Sequence, residues 1–275
     1  MARLAPTSLA GLCALLALAG CGSSSTGTTR TTRTQARRPA ARRPVHVAPY
    51  RKPVPVLMYH EVRIPPPGAP NPGLFVSAKT FDAQAAWLAK KGYTGISMEQ
   101  LRQAWGGRRQ LPRRPVVLSF DDGYNSVYQN VVPVLRRLRW PGVLYLALGN
   151  TRNPDGVSRA QVTRMIHDDG WELGSHTINH LDLTTLGPAQ LREETAGARD
   201  LIRRWFHQTP KDFCYPAGRY NAKVIKALRR AGYLTSTTTD PGLAVPSQPY
   251  ELKRIRVEEA GGVRALADAI AALHG

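Results

Sequence analysis

The segments Ser119–Gly123 (SFDDG) and His176–His180 (HTINH) carry side chains suited to a metal-centred hydrolytic site. The first supplies two adjacent carboxylates, Asp121 and Asp122, and the second supplies two imidazoles four residues apart. Two histidines and one carboxylate bind Zn²⁺ or a similar ion and leave coordination positions open for water and substrate. Such an open set is typical of catalysis, because structural zinc sites are normally closed by protein ligands. Either motif alone is also compatible with a turn or a solvated loop.

The elements before the two motifs would bring them together. The run PVVLSF (Pro115–Phe120) is apolar and β-branched, which predicts a buried parallel strand, and Gly123 ends it. The segment WELGSHT (Trp171–Thr177) likewise predicts a strand that leads into HTINH. The carboxylates therefore lie at the carboxyl end of a strand, where α/β folds place reactive groups. Because neighbouring side chains there point in different directions, one carboxylate can bind a cation while the other faces what that cation holds.

The motif pair resembles the polysaccharide deacetylases of the NodB-homology family, whose motifs are [TS]FDDG and H[ST]xxH, and the resemblance extends from about Pro53 to about Glu259. It implies one divalent metal ion, Zn²⁺ in the first place, with Co²⁺ or Ni²⁺ as alternatives. It also implies that Asp121 is the general base and that the metal ligands are Asp122, His176 and His180.

The third family motif, RxPYG, corresponds to CYPAG at Cys214–Gly218, and here the sequence departs from the family. Cys214 stands where many members have an arginine that orients the base, and the sequence leaves open what replaces it. Ala217 stands at the tyrosine position, whose backbone N–H is the family's oxyanion donor, so a main-chain donor remains there. The segment FCYPAGRYN resembles the branch that includes extracellular poly-N-acetylglucosamine deacetylases, which also lacks that arginine. Cys214 itself is expected to be a small buried strand residue.

The same branch suggests a role for His60 in the first predicted strand, PVPVLMYHEV (Pro53–Val62). The general acid of most family members is a histidine in a carboxyl-terminal LxxH motif, which this chain lacks. By resemblance, His60 is the permuted equivalent of that acid. A lone histidine at a strand end is otherwise compatible with a structural or solvated role, and the terminal His274 is interpreted as an exposed end residue.

Strand and helix patterns alternate along the chain and predict an α/β fold with a parallel sheet. Family resemblance adds that the sheet closes into an irregular (β/α) barrel of about seven strands. Three assignments matter below: a strand at TGISM (94–98), one helix at 127–140 and one long helix at 187–208.

The amino terminus resembles a bacterial lipoprotein signal. We therefore expect residues 1–20 to be the signal peptide, with LAGC ending at a lipidated Cys21, residues 21–52 to be a disordered basic tether, and residues 53–275 to be the catalytic domain. The alternative is an ordinary secretory signal with a chance cysteine. Both imply export, and the lipoprotein interpretation places the protein on the outer side of the cytoplasmic membrane, in the cell envelope.

The chain has 38 Lys and Arg residues against 19 Asp and Glu residues. An exported lipoprotein without a stacking-aromatic motif is not expected to bind nucleic acid. The excess charge fits anionic envelope polymers as partners and fits a high-arginine genome equally well. We therefore expect a metal-dependent deacetylase of an extracellular N-acetylglucosamine polysaccharide. The alternatives are an O-acetyl esterase acting on xylan and a non-catalytic glycan-binding or metal-binding lipoprotein.

Overall fold

Eight parallel strands alternate with helices along residues 46–273, the part of the chain that the computed structural model describes. The predictions for residues 1–45, which include Cys21, and for His274 lie outside the described residues. The strands are β1 (Val56–Tyr59), β2 (Thr94–Gly95), β3 (Pro115–Phe120), β4 (Val143–Leu146), β5 (Glu172–Ser175), β6 (Asp212–Cys214), β7 (Thr235–Pro241) and β8 (Leu252–Arg256).

The α-helices of the described residues lie between the strands, and the last one follows β8. They are α1 (Ala78–Lys90), α2 (Met98–Trp105), α3 (Asn125–Asn130), α4 (Val132–Leu138), α5 (Arg159–Asp169), α6 (Pro188–Arg192), α7 (Ala198–Phe206), α8 (Ala222–Ala231) and α9 (Gly262–Ala272). None of the helices in residues 46–273 is long and apolar enough to cross a membrane.

Seven strands close into a barrel, because β1 pairs with both β3 and β8. The remaining pairs follow chain order from β3 to β8, and all of them are parallel. The two-residue β2 pairs only with the start of β3 and lies outside the ring. The expected parallel barrel of about seven strands is therefore confirmed.

Alternation along the strands divides the core into two layers, since successive side chains point to opposite faces. One cluster joins strand residues such as Leu57, Leu118 and Phe120 to Phe81 and other helix residues. A second cluster contains the other set of strand positions, including Val56, Val117, Val143, Tyr145 and Cys214. Cys214 is fully buried on β6, as expected from the sequence.

The predicted strand at 94–98 is wrong beyond Gly95, because Ser97 is the N-cap of helix α2, which begins at Met98. The Ser97 side chain accepts a hydrogen bond from the Gln100 backbone, and the Gln100 side chain accepts one from the Ser97 backbone. This reciprocal capping box overrides the short apolar run. Met98 and Leu101 of α2 join the second core cluster.

The two long predicted helices are each interrupted. The helix expected at 127–140 is divided at Val131 into α3 and α4, and Pro133 in the first turn of α4 has no N–H to continue the preceding helix. The helix expected at 187–208 contains a π-helical turn at Glu193–Gly197 between α6 and α7.

The folded domain begins before Pro53, the boundary suggested by composition. The backbone N–H of Val47 donates to the Gly107 carbonyl and that of Tyr50 donates to the Ala104 carbonyl, both at 2.9 Å. Residues 46–50 therefore lie against the end of α2.

Candidate active site

The carboxylates Asp121 and Asp122 follow β3 in a sharp turn that separates their side chains. The Asp121 backbone N–H continues the sheet by donating to the Tyr59 carbonyl at 2.9 Å. Asp122 and Gly123 then have positive φ angles of 69° and 90°. A Cβ atom at Gly123 would lie 2.4 Å from Leu146 Cδ1, so only glycine fits there. As a result, Asp121 contacts Arg254 whereas Asp122 contacts the two histidines.

The histidine motif follows β5 in a tight loop. The backbone N–H of His176 donates to the Leu146 carbonyl at 3.0 Å, which fixes the start of the loop beside β4. Thr177 and His180 have positive φ angles of 71° and 55°. The Thr177 hydroxyl accepts a hydrogen bond from the His180 backbone N–H at 2.8 Å. This turn brings the two imidazole rings to a centroid distance of 4.7 Å.

Asp122, His176 and His180 fit a divalent metal ion. Oδ1 of Asp122 lies 3.3 Å from Nε2 of His176 and 3.4 Å from Nε2 of His180. The three ligand atoms lie within 4.8 Å of one another. Nδ1 of His176 lies 2.8 Å from the Cys214 carbonyl oxygen, which can only accept a hydrogen bond, so in the neutral ring Nε2 keeps its lone pair for a metal. The sequence-predicted ligands therefore come together, with one histidine oriented by a neighbouring strand.

Asp121 lies beside these ligands but is held by a buried arginine. Arg254 donates from Nη1 to Oδ1 of Asp121 at 2.8 Å and from Nη2 to Oδ2 at 2.7 Å. Burial alone would raise the pKa of Asp121, but the Arg254 guanidinium outweighs it and holds the pKa well below 3.8. Asp121 is thus an ionised carboxylate with both oxygens fixed in direction.

Arg254 is the functional residue that the motifs did not reveal. It is fully buried on β8, and its Nε donates to the Thr238 carbonyl at 2.8 Å. Its Nη2 also lies 3.2 Å from Cys214 Sγ. Arg254 therefore contacts the predicted base from β8, which only β1 separates from β3 in the ring, and it lies next to the cysteine at the family's arginine position. The only sequence signal was a charged residue within the strand pattern ELKRIRV, and that pattern does not show which cation points inward.

A second trio of potential ligands, Asp121, His176 and Cys214, also lies within 4.8 Å. Arg254 contacts both Asp121 and Cys214, so a fixed positive charge already lies between them. Because this charge would repel a cation, we assign the metal to the trio that contains Asp122.

His60 lies at the end of β1, with Nε2 3.7 Å from Oδ2 of Asp121 and only 13% of its side chain exposed. Burial lowers the pKa of His60 below 6.5, while the negative charges of Asp121 and Asp122 act in the opposite direction. The predicted general acid and general base are therefore neighbours.

Ala217 lies in the turn after β6, with φ and ψ angles of 51° and 21°. The next residue, Gly218, is required there because a Cβ atom would lie 2.0 Å from Thr239 Oγ1. Ala217 is exposed at the carboxyl end of its strand. Its role as an oxyanion donor stays a prediction.

Comparison with known proteins gives the family. The family model described as polysaccharide deacetylase matches residues 108–236. The polysaccharide deacetylase family protein YxkH of Bacillus subtilis (strain 168) is 32% identical over 205 residues, which cover 74% of this chain and 71% of the relative. The chain belongs to the polysaccharide deacetylase family and is a hydrolase.

Two further similarities concern substrate and fold. The poly-beta-1,6-N-acetyl-D-glucosamine N-deacetylase of Escherichia coli (strain K12) is 28% identical over 66% of this chain, and the match spans only 34% of that relative. The structure of the Streptococcus pyogenes deacetylase PplD in complex with acetate superimposes with a TM-score of 0.75 at 25% identity. That match covers 80% of this chain and 99% of PplD. The barrel is therefore the NodB-like deacetylase fold.

Proposed function

We propose that this protein is a metal-dependent N-deacetylase of an extracellular polysaccharide that contains N-acetylglucosamine. The observation that carries the proposal is the adjacency of two groups at one end of the barrel. The trio Asp122, His176 and His180 can hold a divalent ion. Asp121 lies beside it, fixed by Arg254 and 3.7 Å from His60. The similarity to a poly-N-acetylglucosamine deacetylase supports the choice of substrate.

In this proposal each side chain has one task. A divalent ion held by the trio would lower the pKa of a water molecule and polarise the acetamide carbonyl. Asp121 accepts the proton of the attacking water, because its ionised carboxylate is held in direction by Arg254. The Ala217 N–H donates to the oxyanion of the tetrahedral intermediate. His60 donates a proton from Nε2 to the departing amine, which is too basic to leave unaided, and acetate and a glucosamine unit are the products.

The direct test is acetate release by the purified protein from N-acetylglucosamine oligomers, poly-N-acetylglucosamine, peptidoglycan and acetylated xylan. We expect release from an amide polymer that stops with chelator and returns with Zn²⁺, Co²⁺ or Ni²⁺. The order of rates with these ions would identify the preferred metal. No release from any amide polymer with metal bound would contradict the proposal.

An O-acetyl esterase is the second candidate, and the buried position of His60 favours it. Burial lowers the pKa of His60 and so reduces the protonated fraction at neutral pH. An alcohol is a better leaving group than an amine and needs less help from an acid. His60→Ala should therefore reduce amide hydrolysis by about 10²-fold or more and affect ester hydrolysis much less. Equal rates of amide hydrolysis in the variant and the wild type would remove His60 from the mechanism.

We also propose that the protein is exported and lipid-anchored through Cys21 on the outer side of the cytoplasmic membrane. The described chain begins at the amino ends of the strands, opposite the active site. There Lys52, Arg113 and Arg114 line a cavity of about 360 Å³ that has no carboxylate among its described lining residues. This charge suits anionic lipid or envelope polymers. Cys21→Ala should move the protein from the membrane fraction to the soluble exported fraction, and an unchanged membrane fraction would contradict the anchor.

A further inference from the structure

Glu194 is a buried carboxylate that binds the loop between the two histidines of the proposed metal centre. Its side chain is 1% exposed. Oε2 accepts hydrogen bonds from the backbone N–H groups of Ile178 and Asn179, both at 2.9 Å. Oε1 accepts one from Nδ2 of Asn179 at 2.7 Å. Both carboxylate oxygens are thus used on residues that lie between His176 and His180.

The loop that Glu194 holds has a strained backbone. Thr177 and His180, on either side of the two bound amides, are non-glycine residues with positive φ angles. Such conformations are costly and persist where surrounding contacts fix them. Within the loop, the Thr177 hydroxyl accepts from the His180 backbone N–H. Glu194 adds three hydrogen bonds from a different element, and so it ties the turn that carries His180 to the helix region.

The π-helical turn Glu193–Gly197 holds Glu194 in this position. Such turns within α-helices occur frequently at functional sites. Two hydrogen bonds of the next residue, Thr195, fix this turn. The Thr195 hydroxyl donates to the Leu191 carbonyl at 2.6 Å, and the Tyr233 hydroxyl donates to the Thr195 carbonyl at 3.1 Å. Glu194 therefore projects from a well-anchored segment.

The charge of Glu194 has no cationic side-chain partner within 4.0 Å among the described residues. A buried charge that is balanced only by N–H dipoles is costly, and a neutral side chain would fill the same space more cheaply. A divalent cation held by the neighbouring histidines would supply the missing positive charge.

We propose that Glu194 is a positioning residue of the metal centre, which sets the loop so that His180 meets the ion held by Asp122 and His176. This inference rests on the proposed metal dependence. Outer-shell partners of metal ligands typically contribute about 10-fold to 100-fold in metal affinity, and we expect a loss of that size in Glu194→Gln. Glutamine keeps the volume but removes the charge and replaces one acceptor with a donor, which cannot face an N–H group.

Zn²⁺ affinity of the metal-free protein, measured by competition with a chromophoric chelator, tests the inference without recourse to activity. Glu193→Gln is the matched control, because the adjacent Glu193 is exposed on the same turn and the charge change is identical. We expect the control to bind Zn²⁺ within twofold of the wild type. The visible spectrum of bound Co²⁺ should change in Glu194→Gln and not in Glu193→Gln, since it reports the arrangement of the ligands.

A further variant, Asn179→Ala, covers a folding defect in Glu194→Gln. Asn179 is exposed, so Asn179→Ala removes one of the three hydrogen bonds without a core change and should weaken Zn²⁺ binding by about fivefold. Hydrogen exchange at the amides of residues 178 and 179 should accelerate in Glu194→Gln and not in Glu193→Gln.

The outcomes separate this inference from the proposed function. Zn²⁺ binding by the wild type with equal affinity in Glu194→Gln and Asn179→Ala would overturn the role of Glu194 and leave the metal-dependent function intact. A wild-type protein that binds no divalent ion would overturn both.

Discussion

Two buried arginines lie at opposite ends of the barrel, and they contact different numbers of carboxylates. At the carboxyl ends of the strands, Arg254 makes a bidentate contact with one carboxylate, Asp121. At the amino ends, Arg102 contacts Asp212, Glu172 and Glu99. Each nitrogen of the Arg254 guanidinium has a partner, whereas Nε of Arg102 is buried with none among the described residues.

The number of carboxylates per arginine decides which protonation state each end favours. Arg254 outweighs the burial of Asp121 and lowers its pKa, so this proposed base stays ionised. Burial raises the pKa of Glu172, and the nearby negative charge of Asp212 raises it further, although Arg102 opposes both. One end of the barrel therefore favours an ionised carboxylate, and the other favours a carboxyl group that keeps its proton.

The largest expected difference is between the aspartates at the two ends. Asp121→Asn should reduce turnover by about 10²-fold to 10⁴-fold, because the amide cannot accept a proton from water. Glycan binding and Zn²⁺ affinity should remain close to wild type, since Asp121 is not one of the proposed ligands. Acetate release and equilibrium binding measure the two effects.

Asp212→Asn is the matched control for the opposite end. It should leave the turnover of the folded protein within a fewfold of wild type, although it removes a buried partner of Arg102. If Asp121→Asn kept its turnover, or if Asp212→Asn lost as much, the assignment of the base would be wrong.

A second comparison uses the arginines themselves. Arg254→Met and Arg102→Met should each destabilise the protein by about 3–5 kcal/mol, because each leaves a buried carboxylate without its partner. Only Arg254→Met should also lower kcat in the folded protein, by about 10²-fold, since the base is no longer held in direction. Urea unfolding gives the stability, and kcat is measured well below the transition.

Arg254→Lys sharpens this test. A lysine restores the charge but cannot contact both oxygens of Asp121 with one planar group. We expect an intermediate kcat together with partial recovery of stability. If kcat fell equally in Arg254→Met and Arg102→Met, the loss would reflect general destabilisation rather than orientation of Asp121.

The strand and helix patterns were sufficient to predict a parallel sheet and the residues at the ends of its strands, and the family resemblance added the closed barrel. Strands such as β3 are buried on both faces and give continuous apolar runs, and parallel strands that close into a ring bring their carboxyl ends together. SFDDG lies at the carboxyl end of one such strand and HTINH at the carboxyl end of another. The proximity of their side chains could therefore be inferred from the sequence.

The residues that hold the site could not be predicted in the same way. Arg254 is one of three cations in β8, and which of them points inward depends on how that strand packs in the barrel wall. Glu194 lies in a segment with an amphipathic helical pattern, and the pattern does not reveal the π-helical turn that directs it to the histidine loop. By contrast, the capping box at Ser97 and Gln100 was visible in the sequence and should have indicated α2.

The smallest expected effect concerns the proton that Glu172 keeps at the amino ends of the strands. Because the pKa of Glu172 is raised above its ordinary value of 4.5, the native state binds more protons than the unfolded state. Its contribution to stability is complete below pH 4.5 and is lost as pH rises through the raised pKa, by up to about 1.4 kcal/mol per pH unit.

Glu172→Gln mimics the protonated group, so its free energy of unfolding should decline less than that of the wild type as pH rises above 4.5. Glu99→Gln is the informative control, because Glu99 also contacts Arg102 but has a lowered pKa, and its contribution is lost only as pH falls. Urea unfolding of all three proteins between pH 4 and pH 9, at constant ionic strength, separates these signs. Parallel curves for the wild type and Glu172→Gln would show that Glu172 does not keep the proton, and the contrast between the two ends would then rest on Asp121 alone.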